Sequence, residues 1–143
     1  MNAIKKAGFT LIELLVTIAI LGILATVGLG SFQSSQMKGR DAQRKSDLSQ
    51  IQKALEMYYN DKGRYPNVLP TGEWSGEGGT IYMKFVPTDP KGGGYCYESD
   101  GSYYKIYARL ENTKDSKIIT PSSSVCTAAS GYNYGLSSSN AAP

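Results

Sequence analysis

A single carboxylate sits inside an aliphatic segment near the start of the chain. Between Lys6 and Lys38 the only charged residue is Glu13, and the 24-residue run from Leu14 to Met37 carries no charge. A carboxylate in hydrocarbon costs roughly 2.5–3.5 kcal/mol on insertion scales, so it is kept for a partner or a task. Cys96 and Cys126 are the only two cysteines. A scatter of acids follows, among them Asp89, Glu98, Asp100 and Glu111. Paired carboxylates could do general acid–base chemistry if their environments separated their proton affinities. These four fall in turns or on the exposed face of an expected strand, where nothing desolvates them. The chain is therefore not read as an enzyme. It has no His, which removes the commonest general base and the commonest zinc ligand. Two cysteines without a CxxC spacing make no structural zinc site.

The segment that carries Glu13 is long enough to cross a membrane. As a helix, Leu14 to Met37 would rise ~36 Å against a hydrocarbon core of ~30 Å. Lys5 and Lys6 precede it, so the positive-inside rule keeps the N-terminus cytoplasmic and sends the remainder across. A cleaved secretory signal has a shorter apolar region, and Ala25-Thr26-Val27 is a poor cleavage site. A plain signal anchor fits the length but leaves Glu13 unexplained.

The helical signal continues beyond Phe32 in amphipathic form. Leu48, Ile51, Leu55 and Tyr58 make one apolar stripe, with Arg44, Lys45, Asp47, Lys53 and Glu56 on or near the polar side. The stripe is read as core. Asn60-Asp61-Lys62-Gly63, with Pro66 beyond, is a helix stop. One helix from Phe9 to near Asn60 is expected. Gly22, Gly28 and Gly30 interrupt it at up to ~1 kcal/mol each. They mark either a soft stretch or a surface for close helix packing.

The C-terminal part reads as a small sheet. Val68 to Gly79 looks like a linker carrying the only Trp, Trp74. Thr80–Val86 is a short strand or a helical turn, and Pro87 to Gly94 reads as turns. A hairpin follows: Gly94–Glu98 and Tyr103–Leu110 flank Ser99-Asp100-Gly101-Ser102, and Asp-Gly is a favoured hairpin turn. Its second arm alternates, with Tyr104, Ile106, Ala108 and Leu110 inward and Lys105, Tyr107, Arg109 and Glu111 outward. Lys117–Thr120 is a candidate third strand. The tail is rich in Ser, Gly and Ala. Tyr132-Asn133-Tyr134-Gly135 marks a docked part, and Ser137 onward is expected to be mobile. Cys96 and Cys126 both lie on the side expected to be exported, where a disulfide is favoured. In a reducing compartment they would stay free. The fold class is α+β, a long N-terminal helix packed on a small antiparallel sheet. The net charge of +3 is too small and too evenly spread for a nucleic-acid surface.

Lys5-Lys6-Ala7-Gly8-Phe9-Thr10-Leu11-Ile12-Glu13 resembles the class III signal of type IV pilins and type II secretion pseudopilins. Tyr58 to Pro66, Pro87-Thr88-Asp89-Pro90 and the stretch from Tyr95 to Gly101 are similar to that family too, more loosely. The resemblance implies a pilin-like fold: residues 1–8 as a leader, 9–32 as a transmembrane and filament-core helix, 33–63 as an amphipathic continuation, and 64–143 as the loop, sheet and tail. It implies cleavage between Gly8 and Phe9, N-methylation of Phe9 by the same membrane peptidase, and pairing of the Phe9 amine with Glu13 of a neighbour during assembly. Loss of Lys5 and Lys6 would leave 13 basic residues against 12 acidic ones. The implied partners are copies of itself in a helical filament, membrane lipid, the prepilin peptidase, an inner-membrane platform protein and an assembly ATPase. The implied location is the cytoplasmic membrane, then a cell-surface or periplasm-spanning filament. Family members often carry Pro where this chain has Gly30. Some pseudopilins bind calcium in the loops of the sheet. Asp89, Asp100 and Asp115 offer oxygen ligands, but Lys91-Gly92-Gly93-Gly94 replaces the family's loop pattern, so calcium stays unassigned and no cofactor is expected. The first reading is a subunit of a type IV pilus, for adhesion, motility or DNA uptake, toward which the cysteine pair and long tail lean. The alternative is a secretion pseudopilin, toward which Pro87-Thr88-Asp89-Pro90 leans. A membrane-anchored binding module that never polymerises is the third.

Overall fold

A computed structural model describes residues 8–141 and Pro143. One helix, α1, runs Leu11–Lys62. Five strands follow: β1 (Gly72–Ser75), β2 (Ile81–Val86), β3 (Cys96–Ser99), β4 (Tyr104–Ala108) and β5 (Tyr134–Ser137), with a short 3-10 turn at Ala128–Ser130 before β5. The chain divides into two compact units, one ending at Gln36 and one running Met37–Pro143.

In the first unit α1 is apolar on all sides and covered on none. Leu11, Ile12, Leu15, Ile18, Leu21, Ile23, Leu24 and Leu29 are all exposed. Such a helix needs lipid or other helices around it, and it is long and apolar enough to cross a membrane. Gly22, Gly28 and Gly30 do not break it. The energetic cost of an interior Gly is small beside the hydrogen bonds that a regular helix keeps.

In the second unit α1 carries the core stripe. Leu48, Ile51 and Leu55 are fully buried, Ala54 nearly so, and Tyr58 packs on the cluster. The helix stops where the sequence placed its stop: Gly63 adopts φ 68° and donates to the Tyr59 carbonyl at 2.8 Å, a left-handed exit that favours glycine.

The strands make two sheets. β1 pairs antiparallel with β2, and β3, β4 and β5 form a three-stranded antiparallel sheet with β4 in the centre. The Asp100-Gly101 hairpin forms as expected, with Gly101 at φ 92° and the Asp100 carboxylate accepting from the Ser102 and Tyr103 amides. Several expectations need correction. Trp74 is not in a linker. It is a buried residue of β1, set against Tyr58 and Tyr82 at centroid distances of 5.5 and 5.6 Å. Lys117–Thr120 is no strand: its Ile119 amide makes a single bond, at 2.9 Å, to the Asn133 carbonyl beside β5, with no ladder beyond it. The third strand is β5, and the tail folds past the expected mobile point: Ser138 is buried and its amide donates to the Tyr104 carbonyl. Tyr107 was expected outside and is fully buried. It lies opposite Gly135 of β5, where a Cβ would stand 2.5 Å from the Tyr107 ring. The tail therefore covers the second face of β4.

Tyrosine makes up for the scarcity of large aliphatics. Tyr65, Tyr82, Tyr95, Tyr104 and Tyr107 are buried. Four of these five hydroxyls end on helix carboxylates: Tyr65 and Tyr104 on Glu56, Tyr95 on Asp47, Tyr82 on Asp61. The rings supply apolar area while the phenols reach acids along the helix. Burial, with Glu56 alongside, pushes the Tyr65 phenol up to about 12.

Candidate functional site

The site at the N-terminus is built from the helix start. Gly8, Phe9 and Thr10 are non-helical and exposed, and α1 begins at Leu11. A helix start leaves backbone N–H groups without partners. Thr10 and Glu13 satisfy two of them reciprocally. The Thr10 amide donates to Glu13 Oε2 at 2.8 Å, and the Glu13 amide donates to Thr10 Oγ1 at 3.3 Å. Thr10 Oγ1 also donates to Glu13 Oε2 at 2.7 Å. This is a capping box, and Thr-x-x-Glu ahead of an apolar run is its sequence signature. Thr10 was not singled out from the sequence, although this spacing could have found it.

Two consequences follow for the chemistry. The Gly8–Phe9 peptide lies outside the helix, in exposed chain without regular structure. Glu13 Oε2 holds the cap, while Oε1 accepts no hydrogen bond among the described residues. That second oxygen is open to an incoming cation. Phe9 is itself 80% exposed. Residues 1–7, including Lys5 and Lys6 of the expected leader, lie outside the described residues.

A second cluster sits where α1 enters the second unit, and the sequence did not reveal it. Arg44 and Asp47 were placed on the polar face of the helix. Both are buried instead. Arg44 donates through Nε and Nη2 to Asp89 at 2.6 and 2.9 Å, and through Nη1 to Asp41 and Glu111, each at 2.8 Å. Arg40 makes a bidentate pair with Glu111, both contacts at 2.7 Å, and Lys91 reaches the same carboxylate. Asp41 accepts from the backbone amides of Glu111 and Asn112. Lys45 pairs with Asp115 at 2.6 Å. Helix residues 40–45 thereby fasten the β2–β3 loop and the segment after β4. Arg40 holds the Glu111 carboxyl well below the usual carboxylate range, and Arg44 lowers that of Asp89.

Cys96 and Cys126 form a disulfide, with Cα atoms 5.8 Å apart, and Cys126 is fully buried. The bond ties β3 to the tail just ahead of β5. The three calcium candidates are not brought together. Asp89 is held by Arg44, Asp115 by Lys45, and Asp100 by its own turn. No group of three or more His, Cys, Asp or Glu arranged for a metal occurs among the described residues. The acids first weighed for catalysis are similarly occupied, Glu111 in the ionic cluster and Glu98 by the Ser123 hydroxyl.

Comparison with known proteins adds two family matches. Residues 4–29 match the prokaryotic N-terminal methylation motif, and residues 32–115 match the model of type II secretion system protein G. The chain is 33% identical over 115 residues to the type II secretion system core protein G of Aeromonas hydrophila, covering 71% of this chain and 79% of that one. It is 34% identical to the core protein G of Pseudomonas aeruginosa, covering 68% and 77%. It is 30% identical to that of Escherichia coli K12, covering 69% and 76%. No solved structure matches significantly. The protein G match ends at residue 115, so Cys126 and β5 lie beyond it.

Proposed function

The chain belongs to the type II secretion system protein G family, and from that premise we propose that it is a pseudopilin, a subunit that polymerises through α1 into a helical filament serving protein secretion. This replaces the surface pilus as the first reading, since the secretion alternative is the one that the family model and the relatives support. The subunit waits in the membrane with its N-terminus cytoplasmic and the Met37–Pro143 unit exported. A prepilin peptidase cuts after Gly8 and methylates Phe9. A platform protein and an assembly ATPase then move the subunit from lipid into the filament. Membrane lipid and copies of the chain are thus successive environments of one apolar helix. No catalytic group is assigned, and calcium is given no role.

The observation that carries this reading is Glu13: one carboxylate, with one oxygen open, at the start of a helix that is otherwise uncharged to Lys38 and leaves its aliphatics from Leu11 to Leu24 exposed. Cleavage after Gly8 would create an amine at Phe9. A buried amine and a buried carboxylate each cost several kcal/mol alone, and each lowers the cost of the other. Between subunits such a pair fixes axial register. The test is Glu13→Gln in cells that assemble the wild-type chain. The amide keeps the cap, since Gln serves in a capping box as Glu does, and it enters lipid at lower cost. The expected result is normal membrane levels, a mature N-terminus at Phe9 by mass spectrometry, and few or no filaments. A deficit of ~3 kcal/mol per addition lowers the step constant more than 100-fold. Wild-type polymerisation by both Glu13→Gln and Glu13→Leu would remove the carboxylate from assembly. The non-polymerising anchor would then stand first.

A further inference from the structure

The ionic cluster on α1 leaves a residue of positive charge beside it. Asp41, Asp89, Glu111 and Asp115 are taken up by Arg40, Arg44, Lys45 and Lys91. Lys38, Lys114 and Lys117 are exposed, and none of the three makes an ion pair among the described residues. Lys117 contributes only a longer-range attraction to Asp115, whose carboxylate bonds Lys45 and the Lys117 backbone amide.

Their placement follows from the same contacts. The segment carrying Lys114 and Lys117 is pinned to α1 at two points. Asp41 holds the amides of residues 111 and 112, and Lys45 holds Asp115. Lys38 precedes Asp41 by three residues, about one turn. It is also the first charge after the uncharged run that begins at Leu14. That run would span ~36 Å, so Lys38 emerges at the level of the headgroups. Residues 41–45 lie ~5–10 Å further along, about one Debye length of ~8 Å at physiological salt.

We propose that Lys38, Lys114 and Lys117 form a basic collar that binds anionic phospholipid headgroups of the membrane in which α1 is anchored, holding the unassembled subunit against that surface until it is extracted. The inference rests on the reading of α1 as a membrane anchor. A lysine at an anionic surface favours binding about fivefold and the effect decays over a Debye length, so Lys38 with the two more distant lysines favours it roughly 10- to 100-fold, and salt removes the effect.

The full chain is reconstituted into vesicles of phosphatidylcholine alone, or of phosphatidylcholine mixed with phosphatidylglycerol. Lysines are acetylated with a water-soluble reagent and quantified by mass spectrometry. Lys53 is the internal reference. It is exposed and lies 15 residues beyond Lys38 on the helix, hence ~22 Å further from the surface. Relative to Lys53, the three collar lysines should react at least tenfold more slowly in the anionic vesicles. That protection should vanish near ~1 M salt, where the Debye length is ~3 Å. Equal relative rates in the two lipids overturn the collar, as does protection that survives high salt. Alkaline carbonate separates the two layers of the argument. A chain that stays in the vesicles with unprotected lysines refutes the collar alone. A chain released by carbonate refutes the anchor, and the collar with it.

Discussion

Replacing Arg44 by Met should destabilise the Met37–Pro143 unit by about 3 kcal/mol, although Met matches much of the lost apolar stem. The estimate comes from what each acid would keep. Asp41 would retain two backbone amides, and Glu111 would retain Arg40 and Lys91. Asp89 would retain only the Lys91 amide from its present partners. One carboxylate is thus orphaned and two are weakened, at the low end of the ~3–5 kcal/mol for breaking a buried pair from one side. A unit of this size loses ~4–8 °C of melting temperature per kcal/mol, so the drop should be about 12–24 °C. Trp74, the only Trp and buried in β1, reports the transition by fluorescence of the full chain in detergent. Arg40→Met is the contrast. Its pair with Glu111 is more exposed and Glu111 has other cations, so the loss should stay below ~1 kcal/mol. Adding Asp89→Asn to Arg44→Met should restore part of the loss, with a coupling of ~1–3 kcal/mol. If Arg44→Met melts within ~1 kcal/mol of wild type, buried charge is not what fastens the loops to the helix. If the double variant is merely additive, Asp89 is not the orphan.

Reducing the Cys96–Cys126 bond, or replacing Cys96 by Ser, should lower stability by about 3–4 kcal/mol through the reopened loop. The denaturation midpoint with and without reductant measures it, and identical midpoints would refute it. Acid should act through the same helix junction. Glu111, Asp89 and Asp115 have folded values depressed by Arg40, Arg44 and Lys45. Their contribution is fully present above the ordinary carboxylate range of ~4 and is lost as pH falls through the depressed values. Denaturation at pH 6 and pH 3 should show the drop, and Arg44→Met should flatten it. An equally steep acid loss in that variant would place the titration elsewhere.

What the sequence made legible is what local spacing encodes. A long uncharged, largely aliphatic run from Leu14 marked the first half of α1. The 3-and-4 spacing of Leu48, Ile51 and Leu55 marked the core stripe, and Asp100-Gly101 marked the hairpin. What it hid depends on partners far along the chain. Arg44 meets Asp89 and Glu111, which lie 45 and 67 residues away, and no periodicity shows that a charged position faces inward. Trp74 was hidden by the Gly- and Pro-rich stretch around it, since β1 is only four residues long and bulged. β5 was hidden by its glycine. Gly135 weakens a strand pattern, yet it is the residue that admits the Tyr107 ring.

The inversion of polarity along α1 has a physical reason. An anchor helix must be apolar all round, so it has no face left to specify how a folded unit is held. Charges are costly inside and lose little outside, so an inward charged face is retained only when every group is matched. Here the matching is close: four cations against four acids at residues 40–45 and their partners, with phenols closing Asp47, Glu56 and Asp61 further along. Such pairs contribute less to stability than apolar packing of the same volume would. They contribute geometry, because a bidentate guanidinium accepts a carboxylate in few orientations. A Leu-rich inner face could slide by a turn and still bury its area. The Arg44–Asp89 fork cannot, so the loops it holds are fixed to one level of the helix. For a subunit that repeats along a filament, an error of one turn, ~5.4 Å, would recur in every copy. Register is therefore the property that this matched charge protects.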